Sequence, residues 1–483
     1  MPSFRAGKDA HLTIKLRGTE FVLSRFQKTT DAKGIVSLLV RSFETFRQSK
    51  LTPKRWLNFA SVDSGVKNKY SFIAKVKKSG RIVSHVQILI RESKISDGSF
   101  LKIAGIANVC TDPSFRRIGL SAILLKYAHD QILKDENEIP VSALFASYTS
   151  EAHSIYRNLG FRDVRVYETK YALDFDGMKE VLSEDHLSLS TKRLMKSRHV
   201  TVRSFDSKHG ERVRATYDRW LRRHSGLILR NREYWRSKYF ANNSRQAFFE
   251  EPFDRRKFLL VIDDEIEKVL GYLAFNTLPD GTCLVRELVT LRERDALIVD
   301  LLIIEAIRRA LVLRCHSISL RSSSAVYFPH SLLERSFRRF VNEHTYMVSV
   351  LDLERLVKLL FAKHMIAIRE MIANNRGKIA LSGGDRNDSR SQSRSVVLDC
   401  GYGLIKLSED EEAQVVPRKE PIEPDLEISE DNFVSMILGA ETASEIRDRG
   451  GFVIRTRMGG DLSSCLEEIF RINGWTMCAG DQW

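Results

Sequence analysis

The sequence predicts an α/β (α+β) chain of three units, and three observations carry that expectation. Strand-like and helix-like periodicities alternate from Thr19 onward. The order of elements in the first part recurs in the second. A chain of 483 residues is too long for one core, and a prior of about 150 residues per domain gives about three. Hydrophobic residues at 43% and charged residues at 29% are ordinary globular proportions, which excludes a disordered or fibrous class.

The first unit reads as strand EFVLSRF, helix DAKGIVSLLVRSFETF, strands YSFIAKVKK, IVSHVQILIRES and IAGIANVCT, a long helix LSAILLKYAHDQI, and strand VSALFASY. A polar, weakly patterned stretch, LSEDHLSLSTKRLMKSRH, follows. The second unit opens at VTVRSF and continues through helix ERVRATYDRWLRRH, strands FLLVID and VLGYLAF, the turn PDGT, strand CLVRELVTL, helix DALIVDLLIIEAIRRALVL and strand SISLRS. Hairpin, helix and strand thus come in the same order twice. After MVSVLDLERLVKLLFAKH the chain turns polar and serine-rich at SGGDRNDSRSQSRS, as a loop does. Order resumes with the strand-turn-strand VVLDCGYGLIKLSEDEEAQVV and short helices at SEDNFVSMILG, where Ser429 is placed as an N-cap, and at TASEIRDRG. The units are set at residues 1–195, 196–345 and 346–483, with a polar insertion near 381–395.

Several function classes recede. No apolar run reaches the roughly 18 residues a membrane helix needs, and MPSFRAGKDAHLTIKLRG lacks a signal-peptide core, so a cytoplasmic protein without membrane attachment is expected. The six cysteines, Cys110, Cys283, Cys315, Cys400, Cys465 and Cys478, lie far apart without metal-ligand spacing, and no metal is expected. A formal charge of +15 attracts polyanions, but the cations are scattered through amphipathic segments without a nucleic-acid signature. No nucleic-acid partner is expected.

The chemistry concentrates at NVCTDPSFRRIGLS, residues 108–121. Pro113 ends a strand, and SFRRIG runs into a helix whose first amides lack intrahelical partners and carry the positive end of the dipole. Such an end binds phosphate. Gly119 lets a ligand approach the backbone, while Arg116 and Arg117 add charge. Further on, ALFASYTSEAHSIYRNLGFRDV supplies another strand, a helix opening near Thr149, and a Tyr-x-x-x-Gly-Phe from Tyr156 to Phe161.

Together these segments resemble the GNAT acetyltransferase family, whose phosphate loop (Q/R)xxGx(G/A) is here Arg116-Arg117-Ile118-Gly119-Leu120-Ser121, with Ser121 in place of glycine or alanine. The resemblance implies acetyl-CoA as co-substrate, its pyrophosphate held by that loop. It implies that free backbone groups of Asn108, Val109 and Thr111 bind the pantetheine, and that Tyr156 protonates the departing thiolate. RERDALIVD in the second unit lacks the cradle, which makes that unit a degenerate GNAT fold.

RSFETF with Trp56 downstream, TDPSFRRIGLS, IYRNLGF, VTVRSFD with YDRW and EYW, MVSVLDLERL and DLEISEDNFVSMILGAETASEIRDRG come in the order found in the Eis (enhanced intracellular survival) acetyltransferases. This closer resemblance implies a sterol-carrier-protein-like last domain, transfer of acetyl to an amine such as an aminoglycoside-like polyamine or a lysine side chain, and a ring-like homohexamer. It assigns the base to the terminal carboxylate of Trp483 and the acceptor pocket to Phe43, Glu44 and Trp56. An aspartate expected after Glu44 is absent, and Asn108 replaces an aromatic residue at the pocket floor. Two alternatives stand beside it. One is a lipid or small-molecule carrier on a GNAT scaffold; the other is a mycothiol-synthase-like acyltransferase, which leaves residues 346–483 without a role.

Overall fold

The computed structural model describes residues 11–48, 50–63, 65–164, 168–183, 191–193, 199–235, 254–278, 280–291, 296–323, 330–341, 344–380, 395–418 and 422–471. Its strands form three sheets, of eight, seven and five strands. The first part of the chain runs β1 (His11–Leu16), β2 (Thr19–Arg25), α1 (Lys28–Ser42), α2 (Glu44–Gln48), α3 (Pro53–Val62), β3 (Val66–Val76), β4 (Ile82–Lys94), β5 (Phe100–Thr111), α4 (Leu120–Asp135), β6 (Val141–Ser147), α5 (Glu151–Asn158), β7 (Arg162–Val164), β8 (Glu168–Asp174) and α6 (Phe175–Leu182).

β1 to β5 form an antiparallel meander, and β6 joins β5 in parallel after the crossover helix α4. The near-continuous apolar reading of β4 follows from its position, because both faces are covered: one packs with α4, the other with α1 and α3. Along α4 the residues Leu120, Leu124, Leu125, Ala128 and Ile132 make one buried stripe against the sheet.

The two larger sheets exchange strands. β8 leaves the first sheet and inserts between Ser317–Ser323 and Arg338–Val341 of the second. His344–Val350 returns to the first sheet and inserts between β6 and β7. The five-stranded sheet, built on Ser395–Asp399 and Leu404–Ser408, shares a single core with the first: Ile95, Leu101, Ile103 and Val348 pack in one cluster with Leu356, Phe361, Phe433 and Leu466. As expected, Ser429 caps the helix Glu430–Leu438, its side chain accepting from the Asn432 amide. Most of the polar insertion near 381–395 lies outside the described residues.

Candidate active site

The site begins where β5 and β6 part. They pair at Ile103↔Val141, Ala104↔Ser142 and Gly105↔Ala143 and no further, although β5 runs on to Thr111 and β6 to Ser147. On its other side β5 meets β4 at Gln87↔Ala107 and next at His85↔Cys110, so Asn108 and Val109 bulge from the ladder. Asn108 has φ +53, a left-handed conformation that asparagine tolerates and an aromatic residue resists. Asn108 itself is not among the residues that line the cleft described below. Its carboxamide donates to Gln87 Oε1 at 2.7 Å.

The next turn is firmly anchored. Asp112 caps the short 3₁₀ turn Pro113–Phe115, accepts from the Ser114 amide at 3.1 Å, and pairs with Arg81 and, at 3.3 Å, Arg41. Burial pushes its carboxyl up, but the Ser114 amide and the two guanidiniums outweigh that and hold it below the usual range. Arg116 Nε donates to the Thr111 carbonyl at 3.1 Å. Arg117 and Gly119 are left-handed, with φ +59 and +81, and Gly119 opens α4 with no side-chain cap. The first amides of α4 are thereby left for an external acceptor.

A cleft of about 690 Å³ lies along this turn. Val109, Cys110 and Thr111 line it from β5, and Arg116, Arg117, Gly119, Leu120 and Ser121 from the turn and α4. Glu151, Ile155 and Tyr156 face them from α5, with Ser42 and Phe43 beyond. The Tyr156 ring packs edge-on against Phe161 at 5.7 Å. Burial, with the Cys110 thiol adding to it, pushes the Tyr156 phenol up to about 12, so it stays protonated at neutral pH. The same burial pushes the Cys110 thiol up to about 12.

Of the residues singled out from sequence, the cleft unites Phe43, Val109, Thr111, Arg116, Arg117, Gly119, Leu120, Ser121 and Tyr156. Ile118 packs instead against the buried cluster that α4 shares with the first sheet. Trp56 is buried, its ring 5.4 Å from that of His85. Glu44 does not line the cleft; it sits on α2, exposed, with its carboxylate 2.7 Å from Arg47. Trp483 lies outside the described residues. Three contributors went unread: Glu151, whose carboxylate meets Arg117 at 3.2 Å, Cys110, and His85 with its partners beneath the bulge. A histidine inside the apolar run IVSHVQILI was the only signal for the last.

In the second sheet the strands Thr282–Thr290 and Ser317–Ser323 also pair only at one end, through Val285 and Leu320. Beyond that pairing the strand Thr282–Thr290 carries a buried ion pair. Glu287 and Arg230 form a buried pair at 2.9 Å, Tyr272 donates to Glu287 at 2.6 Å, and the guanidinium lies 4.0 Å from the Tyr217 ring.

Residues 24–164 match the family model described as an acetyltransferase (GNAT) domain. The chain carries a GNAT acetyltransferase domain. The splay, the bulge, the Arg116–Ser121 turn and Tyr156 all fall inside the matched segment. No curated protein matches the chain in sequence. Among solved structures, a GCN5-related N-acetyltransferase from Kribbella flavida is similar over 96% of this chain and 99% of its own, at 16% identity and a TM-score of 0.55. One from Anabaena variabilis is similar over 95% and 99%, at 13% identity and 0.59. Eis1 from Mycobacterium abscessus is similar over 96% and 100%, at 14% identity and 0.52. At these identities the likeness is one of fold, and it extends beyond the GNAT domain to nearly the whole chain. Among the described residues no helix is long and apolar enough to cross a membrane, and no group of three or more His, Cys, Asp or Glu side chains is placed to hold a metal ion.

Proposed function

We propose that the protein is an N-acetyltransferase that moves acetyl from acetyl-CoA to an amine. One observation carries the reading: the parted strands, the arginine-bearing helix start and a protonated phenol converge on one cleft. The α4 amides, Arg116 and Arg117 take the pyrophosphate as charge-assisted hydrogen bonds. The backbone of Asn108 and Val109, which bulges from the ladder, receives the pantetheine and the thioester carbonyl. Attack by a neutral amine on that carbonyl builds charge on oxygen, which a fixed backbone donor stabilises. As the carbon–sulfur bond breaks, Tyr156 gives its proton to the thiolate.

Binding of acetyl-CoA by calorimetry, followed by release of free CoA across a panel of amines, tests this. Acetyl-CoA binding without turnover on any amine favours a carrier. No binding at all defeats the reading.

The finer assignments rest on the Eis resemblance. They are a degenerate second GNAT unit, which the absence of the glycine-bearing cradle from RERDALIVD supports, a sterol-carrier-protein-like third unit, a polyamine or lysine acceptor, and a homohexamer. The base is the terminal carboxylate of Trp483. Extending the chain past Trp483 moves that charge, so kcat should fall while acetyl-CoA affinity holds; an extended protein with full kcat excludes it.

A further inference from the structure

The peptide that joins Asn108 to Val109 has no ladder partner. β4 pairs with β5 on either side of these two residues, and β6 has already parted from the strand at Gly105. What holds this peptide is a side chain. His85, fully buried on β4, places Nδ1 3.0 Å from the Asn108 carbonyl oxygen and Nε2 2.7 Å from Ser71 Oγ. A carbonyl only accepts, so Nδ1 carries the proton. In the neutral ring Nε2 then accepts from the Ser71 hydroxyl. Burial holds the ring neutral, with its pKa lowered to about 4, and the Trp56 ring stands nearly perpendicular to it at a centroid separation of 5.4 Å.

The peptide plane converts this contact into an orientation. No peptide bond in the described chain is cis, so the Asn108 carbonyl and the Val109 N–H point in opposite directions from one rigid plane. His85 draws the carbonyl into the core. The Val109 N–H therefore points away from the core, on the side where Val109 lines the cleft.

We propose that His85 is a positioning residue for acyl transfer: by holding the Asn108 carbonyl it aims the Val109 N–H at the thioester carbonyl oxygen. The inference rests on the acetyl-CoA reading of this cleft. His85 touches no substrate, and its effect is exerted through one peptide plane that the bulge would otherwise leave loose. Ser71 fixes the tautomer, and the Asn108–Gln87 hydrogen bond steadies the residue from its side chain.

The test compares two variants of the full chain. His85→Leu removes the donor, whereas His85→Asn puts an amide N–H near the position of Nδ1. Misaiming a donor that acts in the transition state lowers kcat by roughly 10- to 100-fold. His85→Leu should show that loss, with its acetyl-CoA dissociation constant within about threefold of wild type, since the phosphate contacts that dominate binding are untouched. His85→Asn should recover most of the rate. A folded His85→Leu protein with wild-type kcat overturns the proposal, and so does a folded His85→Asn protein as slow as the leucine variant. Should the leucine variant fail to fold, nitrogen-15 spectra of the histidines in the wild-type protein still decide. They should show His85 as the neutral Nδ1–H tautomer, and an Nε2–H tautomer refutes the geometry. A wild-type protein that binds no acetyl-CoA defeats the functional reading, which the spectra distinguish from failure of the His85 contact.

Discussion

Arg117 and Glu151 face each other across the mouth of the cleft, each 83% exposed, at 3.2 Å. Glu151 thus occupies the guanidinium that the phosphate needs. An exposed pair of this kind is worth about 0–1 kcal/mol, whereas a hydrogen bond between charged groups contributes about 1.5–3 kcal/mol. The exchange favours phosphate. Subtracting the pair from the phosphate contact leaves a net of about 0.5–3 kcal/mol, so Arg117→Ala should weaken acetyl-CoA binding about tenfold. Glu151→Gln should act in the opposite direction, tightening binding by up to about fivefold because the guanidinium starts unoccupied.

Calorimetric titration of wild type, both single variants and the double variant reads these changes directly. Because the two side chains are so exposed, the melting temperature should hardly move for Arg117→Ala. Glu151→Gln gives up the exposed pair, about 0–1 kcal/mol, and the favourable charge at the start of α5, worth about 0.3–1 kcal/mol. In the double variant the benefit of Glu151→Gln should vanish, since no guanidinium remains to be released. Unchanged affinity in a folded Arg117→Ala protein refutes the phosphate assignment. Weaker binding by Glu151→Gln refutes the competition between carboxylate and phosphate.

Tyr156→Phe keeps the ring on Phe161 and removes the proton, so kcat should fall by about 10² to 10⁴ with acetyl-CoA affinity and melting temperature little changed; steady-state kinetics beside calorimetry measures both. Titration should give one acetyl-CoA per chain, because RERDALIVD in the second unit lacks the glycine-bearing cradle, and two equivalent sites would contradict that account. The pH dependence of His85 has a definite sign. Its folded pKa of about 4 lies below the ordinary 6.5, so the unfolded chain takes up a proton between those values and the folded chain does not. Stability tied to neutral His85 is present above pH 6.5 and is lost as pH falls toward 4, by about 1.4 kcal/mol per pH unit. Urea unfolding of wild type against His85→Asn should show the difference between them shrinking over that window, and a constant difference would mean His85 is not held neutral.

Local pattern in the sequence was enough to find β2 to β6, α4 and the arginine-bearing turn, because each is encoded within one contiguous window. The hairpin strand β1 was missed although HLTIKL alternates and Arg17–Gly18 supplies a left-handed turn; its side chains are only partly buried, so the period-2 signal is faint. Strand exchange was invisible for a different reason. ETKYALD and HTYMVSV are compatible with either sheet, and nothing local states which partner a strand takes. The positions of Tyr156 and Gly119 on the cleft were legible because each sits at a fixed spacing within one contiguous motif. His85 was not, because a buried histidine in a strand reads as core until its carbonyl partner, on another strand, is known. Glu44 shows the converse: its charge near aromatic residues suited an amine pocket, yet in the folded chain the same carboxylate lies beside Arg47 on the surface.

The strand exchange bears on the site itself. β6, which forms one side of the splay, has as its outer neighbour His344–Val350, and β7 follows beyond it. In that returning strand Tyr346, Met347 and Val348 are 3%, 0% and 0% exposed, and fully burying such side chains contributes about 1.5–3 kcal/mol each. Three of them approach the whole stability of an ordinary domain, about 5–15 kcal/mol. The third unit adds its own hold on α5. Arg157, next to Tyr156, reaches Asp163 at 2.9 Å and Asp431 at 3.0 Å, and Arg162 pairs with Glu430. A fragment ending at residue 195 keeps the phosphate turn and Tyr156 in its sequence but loses the strand beside β6 and the carboxylate that steadies the helix carrying the phenol. The cleft is therefore encoded within the first part of the chain and buttressed from downstream, by His344–Val350 beside β6 and by Asp431 beside Arg157, 274 positions on.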